Sequence, residues 1–169
     1  MKAIGVIGVG LMGHGIARNI VGKGWNLHFL DQPGNQPTAD LVEQGATPWP
    51  TATDVAANCD VLILCVTGTP QVEDVLVGNG AALAALQPGA IVVDCSTAIP
   101  SSTRALAERV REKGCEFVDA AMTRTPKEAE EGRLNLLVGG ETAVIERIRP
   151  LLESFAENIF VAGGVGSGH

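Results

Sequence analysis

The chain is 169 residues long, 46% hydrophobic, and carries a formal net charge of −7 with no cluster of lysine or arginine. That balance argues against nucleic acid and anionic membrane surfaces as partners, and no apolar run approaches the ~20 residues needed to span a bilayer. The four cysteines lack C-x-x-C spacing and the three histidines are scattered. No metal site is therefore expected, and the cysteines are expected to be reduced, in a cytoplasmic protein. Met1-Lys2-Ala3 leads straight into an apolar run, so no signal peptide is expected.

Strands are predicted at 3–7, 26–30, 61–66, 90–94, 116–119, 134–138 and 159–161, several of them apolar at every position, as for strands covered on both faces. Between them the patterns predict helices near 12–22, 38–44, 51–58, 70–77, 100–113, 126–131 and 142–155. Ile7-Gly8-Val9-Gly10-Leu11-Met12-Gly13 contains G-x-G-x-x-G between the first strand and the first helix. In a dinucleotide fold Gly8 permits the tight turn, Gly10 admits the pyrophosphate against the backbone, and Gly13 lets helix and strand pack closely. Asp31 ends the second strand, where a carboxylate binds ribose hydroxyls and repels a 2′-phosphate. No arginine follows it, which favours NAD over NADP. Thr69-Pro70 and Thr125-Pro126 each offer a capping hydroxyl before a helix, and Gly24, Gly89 and Gly114 fall where helices should stop. Glu128 lies three positions after Thr125, completing the pattern of a capping box. This alternation implies a doubly wound α/β fold of the Rossmann type, a mostly parallel sheet with helices on both faces, over residues 1–162. Residues 163–169 are glycine-rich and read as a hinge.

The run from Gly8 to Ile20, with its Met-Gly pair and Ala-Arg-Asn, resembles the opening signature of the β-hydroxyacid dehydrogenases. That family includes 3-hydroxyisobutyrate dehydrogenase, tartronate semialdehyde reductase and the cofactor domain of 6-phosphogluconate dehydrogenase. The likeness continues at 59–66, at Asp94-Cys-Ser-Thr-Ala-Ile-Pro100 and from Asp119 to Gly140. It implies that Leu11 and Met12 lie along the cofactor with the three glycines, that Val66 flanks it beyond one strand, and that Thr97 offers a hydroxyl beyond the next. Val66 also reads as a core residue and Thr97 as a helix cap. Thr67 stands where the family usually has proline.

The resemblance further implies a substrate site. The family motif Asp-Ala-Pro-Val-Ser-Gly-Gly reads Asp119-Ala-Ala-Met-Thr-Arg-Thr125 here. Thr123 keeps the hydroxyl that holds a substrate carboxylate, and Arg124 and Thr125 replace two glycines. The change resembles the sulfolactaldehyde reductase branch, whose arginine matches a sulfonate, and Asp31 and Gly45-Ala-Thr-Pro48 point the same way. A guanidinium fork suits an anion rich in acceptor oxygens. The expected substrate is thus a small anionic hydroxyacid or aldehyde, carboxylate or sulfonate. The family's general acid/base is a lysine that would fall three residues past His169, so no catalytic residue is expected within the chain. His169 is read as a mobile terminal residue or as a substitute acid/base. The family's helical second domain, and with it a homodimer or homotetramer, is expected beyond the hinge, and the 169 residues alone should be catalytically incomplete. The alternatives are a stand-alone NAD-binding sensor or regulatory module, or an NADP-dependent member of the family.

Overall fold

A computed structural model describes residues 3–169; Met1 and Lys2, the first two positions of the expected domain, lie outside the described residues. The elements run β1 (Ala3–Ile7), α1 (Leu11–Gly22), β2 (Asn26–Leu30), α2 (Ala39–Glu43), β3 (Thr47–Trp49), α3 (Ala52–Ala57), β4 (Val61–Leu64), α4 (Thr69–Val77), α5 (Ala82–Ala85), β5 (Ile91–Asp94), α6 (Pro100–Glu112), β6 (Glu116–Thr123), α7 (Pro126–Glu130), β7 (Leu134–Gly139), α8 (Thr142–Leu152) and β8 (Ala156–Gly163). They form one eight-stranded sheet ordered β3-β2-β1-β4-β5-β6-β7-β8. Every pairing is parallel except β6 with β7, where Ala121 opposes Leu137.

Alternate residues of each central strand enter opposite cores, as the two-residue period of a strand requires. Ile4 and Val6 of β1, Val61 and Ile63 of β4, and Ile91 and Val93 of β5 pack with α1, α2, α7 and α8. Ile7, Leu62, Leu64 and Val92 pack on the other face with α3, α4, α5 and α6. The doubly wound expectation holds, because strands buried on both faces have no polar side and read as unbroken apolar runs.

Several elements differ from expectation, among them α5, a four-residue helix where none was predicted. β3 carries Pro48, which pairs opposite Phe29 at the outer edge of the sheet, where a missing N–H costs no ladder bond on the solvent side. β6 continues four residues past Asp119, because Ala120 to Thr123 find partners on β7. β8 runs from Ala156 to Gly163, yet nearly all of it is half-buried or exposed, so its sequence shows little periodicity. Thr69 does not cap α4; Gly68 holds that position, and the Thr69 hydroxyl instead accepts the Ile99 N–H at 2.8 Å.

The segment 163–169, expected as a hinge, is tied to the sheet here. The Gly166 and Gly168 N–H groups each donate to the Asp119 carboxylate at 2.7 Å. No helix among the described residues is long and apolar enough to cross a membrane.

Candidate cofactor and substrate site

The carboxyl ends of β1, β4 and β5 open onto one cavity of about 460 Å³. β1 and β4 are neighbours although two strands separate them in the chain, so the order reverses there; open α/β sheets bind ligands at this crevice. Gly8, Gly10, Leu11, Met12, Gly13, Val66, Thr67 and Thr97 all line it. Asp31 does not; it sits exposed just before Gln32, Pro33, Gly34 and Asn35, which do, and its N–H donates to Trp49 O at 2.8 Å.

The three glycines are required for three different reasons. Gly8 has φ +98°, and a Cβ there would lie 2.2 Å from Cys65 O. A Cβ on Gly13 would lie 1.8 Å from Gly8 O, so this position closes helix onto strand. A Cβ on Gly10 would meet nothing within 4 Å; the protein leaves that side of the backbone open, towards the cavity. Gly10 is also the N-cap of α1, with no side-chain cap and no acid in the first turn. The first N–H groups of the helix are thus free for an anion, which the helix dipole favours. These residues fit a dinucleotide pyrophosphate. The 32–35 loop borders the cavity beyond β2 and is held down by Gln36 N–H donating to Val9 O at 2.8 Å.

Thr97 is not a helix cap, since Ile99 takes that place on α6, and Val66 is half-buried, packed on one side and lining the cavity on the other. Cys65, Cys95, Ser96 and Met122, which lie within the stretches of resemblance but gain no role from it, also line the cavity, as do Asn35 and Gln71, which no motif in the sequence marked. Among the described lining residues none is Asp, Glu, His, Lys or Arg. Burial pushes the Cys65 thiol up to about 12 and Cys95 far above its ordinary value, so neither is a ready proton carrier at neutral pH.

At the end of β6, Thr123 accepts from Asn135 Nδ2 at 3.2 Å, and Thr125 forms the expected capping box with Glu128. Arg124 lies at φ +84°, a left-handed backbone that suits glycine, and its guanidinium donates to Arg133 O and Glu157 rather than facing the cavity. That hydrogen bond holds the Glu157 carboxyl below its ordinary range. His169 is anchored by its ring, with Nε2 3.2 Å from Asp94 O and Nδ1 2.7 Å from Thr103 Oγ1, and it does not line the cavity.

The signature residues of α1 serve packing. A Cβ on Gly15 would lie 2.4 Å from the Ala129 carbonyl carbon, and Asn19 Nδ2 donates to Ala129 O at 2.9 Å and Glu130 O at 3.1 Å. Together they press α7, and with it the Thr123–Thr125 corner, against α1.

A doubly wound sheet with an open glycine turn at its crevice defines a dinucleotide-binding domain. The sequence profile of the NAD binding domain of 6-phosphogluconate dehydrogenase matches residues 3–164, and the chain belongs to that family. It is 38% identical to 2-hydroxy-3-oxopropionate reductase of Escherichia coli K12 over 98% of this chain and 56% of that protein. It is 33% identical to 3-sulfolactaldehyde reductase of the same organism, over 99% of this chain and 56% of that protein. A solved structure of Mycobacterium tuberculosis 3-hydroxyisobutyrate dehydrogenase superposes with TM-score 0.90 at 27% identity, over 99% of this chain and 56% of that one. The chain thus spans a little over half the length of these relatives.

Proposed function

We propose that the chain is the cofactor-binding half of an NAD-dependent β-hydroxyacid dehydrogenase or reductase acting on a small anionic hydroxyacid or its semialdehyde. The observation that carries this is the open backbone at Gly10 above the uncapped start of α1. The bound dinucleotide supplies a hydride acceptor or donor at its nicotinamide ring. Gly10 to Gly13 hold its pyrophosphate; Val66, Thr67 and Thr97 form the wall at the β4 and β5 ends. Asp31, beside the 32–35 loop, favours an unphosphorylated ribose, which makes NAD the expected cofactor and NADP the weaker one. The substrate anion is assigned to Thr123, Arg124 and Thr125, with Arg124 drawn from its pairing with Glu157 by a stronger anion. Whether that anion is a carboxylate or a sulfonate is the choice the arginine governs, and identity alone does not favour the sulfonate branch. With no proton carrier at neutral pH lining the cavity, the 169 residues bind cofactor but turn over slowly; loss of a general acid/base costs about 10²–10⁴ in rate. The family's lysine and helical domain, following the 163–169 segment, would supply that group and the oligomer. Four unpaired thiols fit a reducing, cytoplasmic setting.

Titration with NADH and NADPH tests the cofactor reading, and tighter NADPH binding overturns the role of Asp31. Substrate profiling of the longest natural product against a sulfonate aldehyde and a carboxylate semialdehyde tests the anion reading. Arg124→Gly suits the left-handed backbone and should fold; an unchanged preference between the two anions removes Arg124 from recognition. A sensor module would bind NADH equally but show no turnover with any hydroxyacid in the longest product.

A further inference from the structure

The cavity wall at Val66 and Ser96 is linked by hydrogen bonds to residues far from it in the chain. Val66 N–H donates to Ser96 Oγ at 3.0 Å, and Ser96 N–H donates to Asp94 Oδ1 at 2.9 Å. Asp94 is buried at the end of β5, in register with Asp119 of β6. From Asp119 the connections turn to the tail. Its Oδ1 accepts from Gly166 N–H at 2.7 Å, and its Oδ2 accepts from Gly168 N–H at 2.7 Å and His169 N–H at 3.1 Å.

The tail then returns to the wall. The Asp94 carbonyl can only accept, so His169 Nε2 donates there at 3.2 Å, and Nδ1 shares a hydrogen bond with Thr103 Oγ1 at 2.7 Å, a hydroxyl that also reaches Ile99 O at 3.3 Å. The imidazole therefore bridges the end of β5 to α6. The turn is shaped for this: a Cβ on Gly168 would lie 2.3 Å from Leu137 O and 2.9 Å from Asp119 Oδ2. Asp119 and Thr103 are 0% and 1% exposed, and a buried carboxylate bonded by three N–H groups is costly to rearrange. Asp94 Oδ2 is buried without a partner; burial first, and the charge of Asp119 beside it, push this carboxyl up against the pull of Ser96 and His169.

We propose that residues 164–169 are a tether that holds the cofactor-facing wall in place, with Asp119 and His169 as positioning residues acting through Asp94 and Ser96 on Val66. Asp119, first residue of the substrate motif, thus faces the tail rather than the substrate. The proposal rests on the dinucleotide reading of the cavity.

The test compares Thr103→Val, His169→Ala, their double variant and His169→Gln by NADH binding and by amide exchange at Val66 and Ser96. Each single change should weaken NADH about threefold to tenfold, the scale of one lost hydrogen bond. The double variant should be no worse than the weaker-binding single, because both cut one tether. His169→Gln keeps a donor for Asp94 O and should recover most of the affinity. Exchange at Val66 should quicken in the variants that lose affinity. NADH affinities within twofold of the parent, or effects that multiply, overturn the tether, as does unchanged exchange at Val66 while the tail amides lose protection. If the parent chain binds no NADH, the dinucleotide reading fails, and exchange at Val66 alone decides the tether. Should His169→Ala not fold, Thr103→Val still reads it from α6.

Discussion

Gly10 and Gly13 lie in one turn, yet alanine should act on them in opposite ways. At Gly13 the new Cβ would lie 1.8 Å from a backbone oxygen, so Gly13→Ala should lower stability by about 1–3 kcal/mol, the usual cost of overpacking. At Gly10 the Cβ meets no protein atom within 4 Å. Gly10→Ala should stay within about 1 kcal/mol of the parent, since only an N-cap preference is lost. It should nevertheless weaken NADH by about tenfold or more, because the methyl group stands where the pyrophosphate approaches. Chemical denaturation beside NADH titration separates the two; a Gly10→Ala chain that keeps full affinity would remove the pyrophosphate from this turn. The three glycines were legible in the sequence because their spacing joins a strand to a helix. Asn35 and Gln71 were not, since one comes to the cavity from a loop and the other from the start of α4, and neither belongs to a recognisable spacing. Arg124 was legible as a departure from a glycine motif, but not its attachment to Glu157, a residue 33 positions away.

Between elements, His14 ties α1 to α7 and α2. Its Nδ1 lies 2.7 Å from Glu130 of α7 and its Nε2 3.1 Å from Asp40 of α2. Two carboxylates can only accept, so this geometry favours the doubly protonated ring. Burial lowers the imidazole pKa, but the bonds to Glu130 and Asp40 outweigh it, and the net direction is upward. A folded pKa raised above the unfolded value gives stability that is complete below about 6.5 and is lost as pH rises through the folded value. Melting temperature should therefore fall on going from pH 6 towards 8 by more in the parent than in His14→Gln, with the ring titration followed by NMR; equal slopes would remove His14 from the pH dependence. Glu43 and Lys127 line the same groove, and Arg18 pairs with Glu130 at 3.2 Å. The alternation of strands and helices was legible because central strands are apolar throughout, whereas the outer elements follow weaker rules. β3 is three residues with a proline and α5 is four residues, so neither offers a period long enough to read; β8 presents Phe160 and Val161 to solvent, so only its 159–161 stretch was legible.

At the scale of the molecule, the cavity is bordered by segments spread over two thirds of the chain: the glycine turn after β1, the 32–35 loop after β2, the ends of β4 and β5, and Met122 of β6. A ligand bridging them links segments that otherwise meet through the sheet and a few hydrogen bonds such as Gln36 N–H to Val9 O, and its binding free energy adds to folding stability. At a hundred times its dissociation constant a ligand contributes about 2.7 kcal/mol, which for a domain of this size is a rise of about 5–10 °C in melting temperature. NADH should produce that shift in the 169-residue chain, NADPH at equal concentration a smaller one, and Gly10→Ala should lose most of it while melting close to the parent without ligand. Asp31→Ala should narrow the gap between the two cofactors, since the carboxylate that repels the 2′-phosphate is gone. If NADPH already stabilises the parent as well as NADH does, Asp31 at its exposed position exerts no selection, and the discrimination must be sought in Gln32 to Asn35, the residues that do line the cavity.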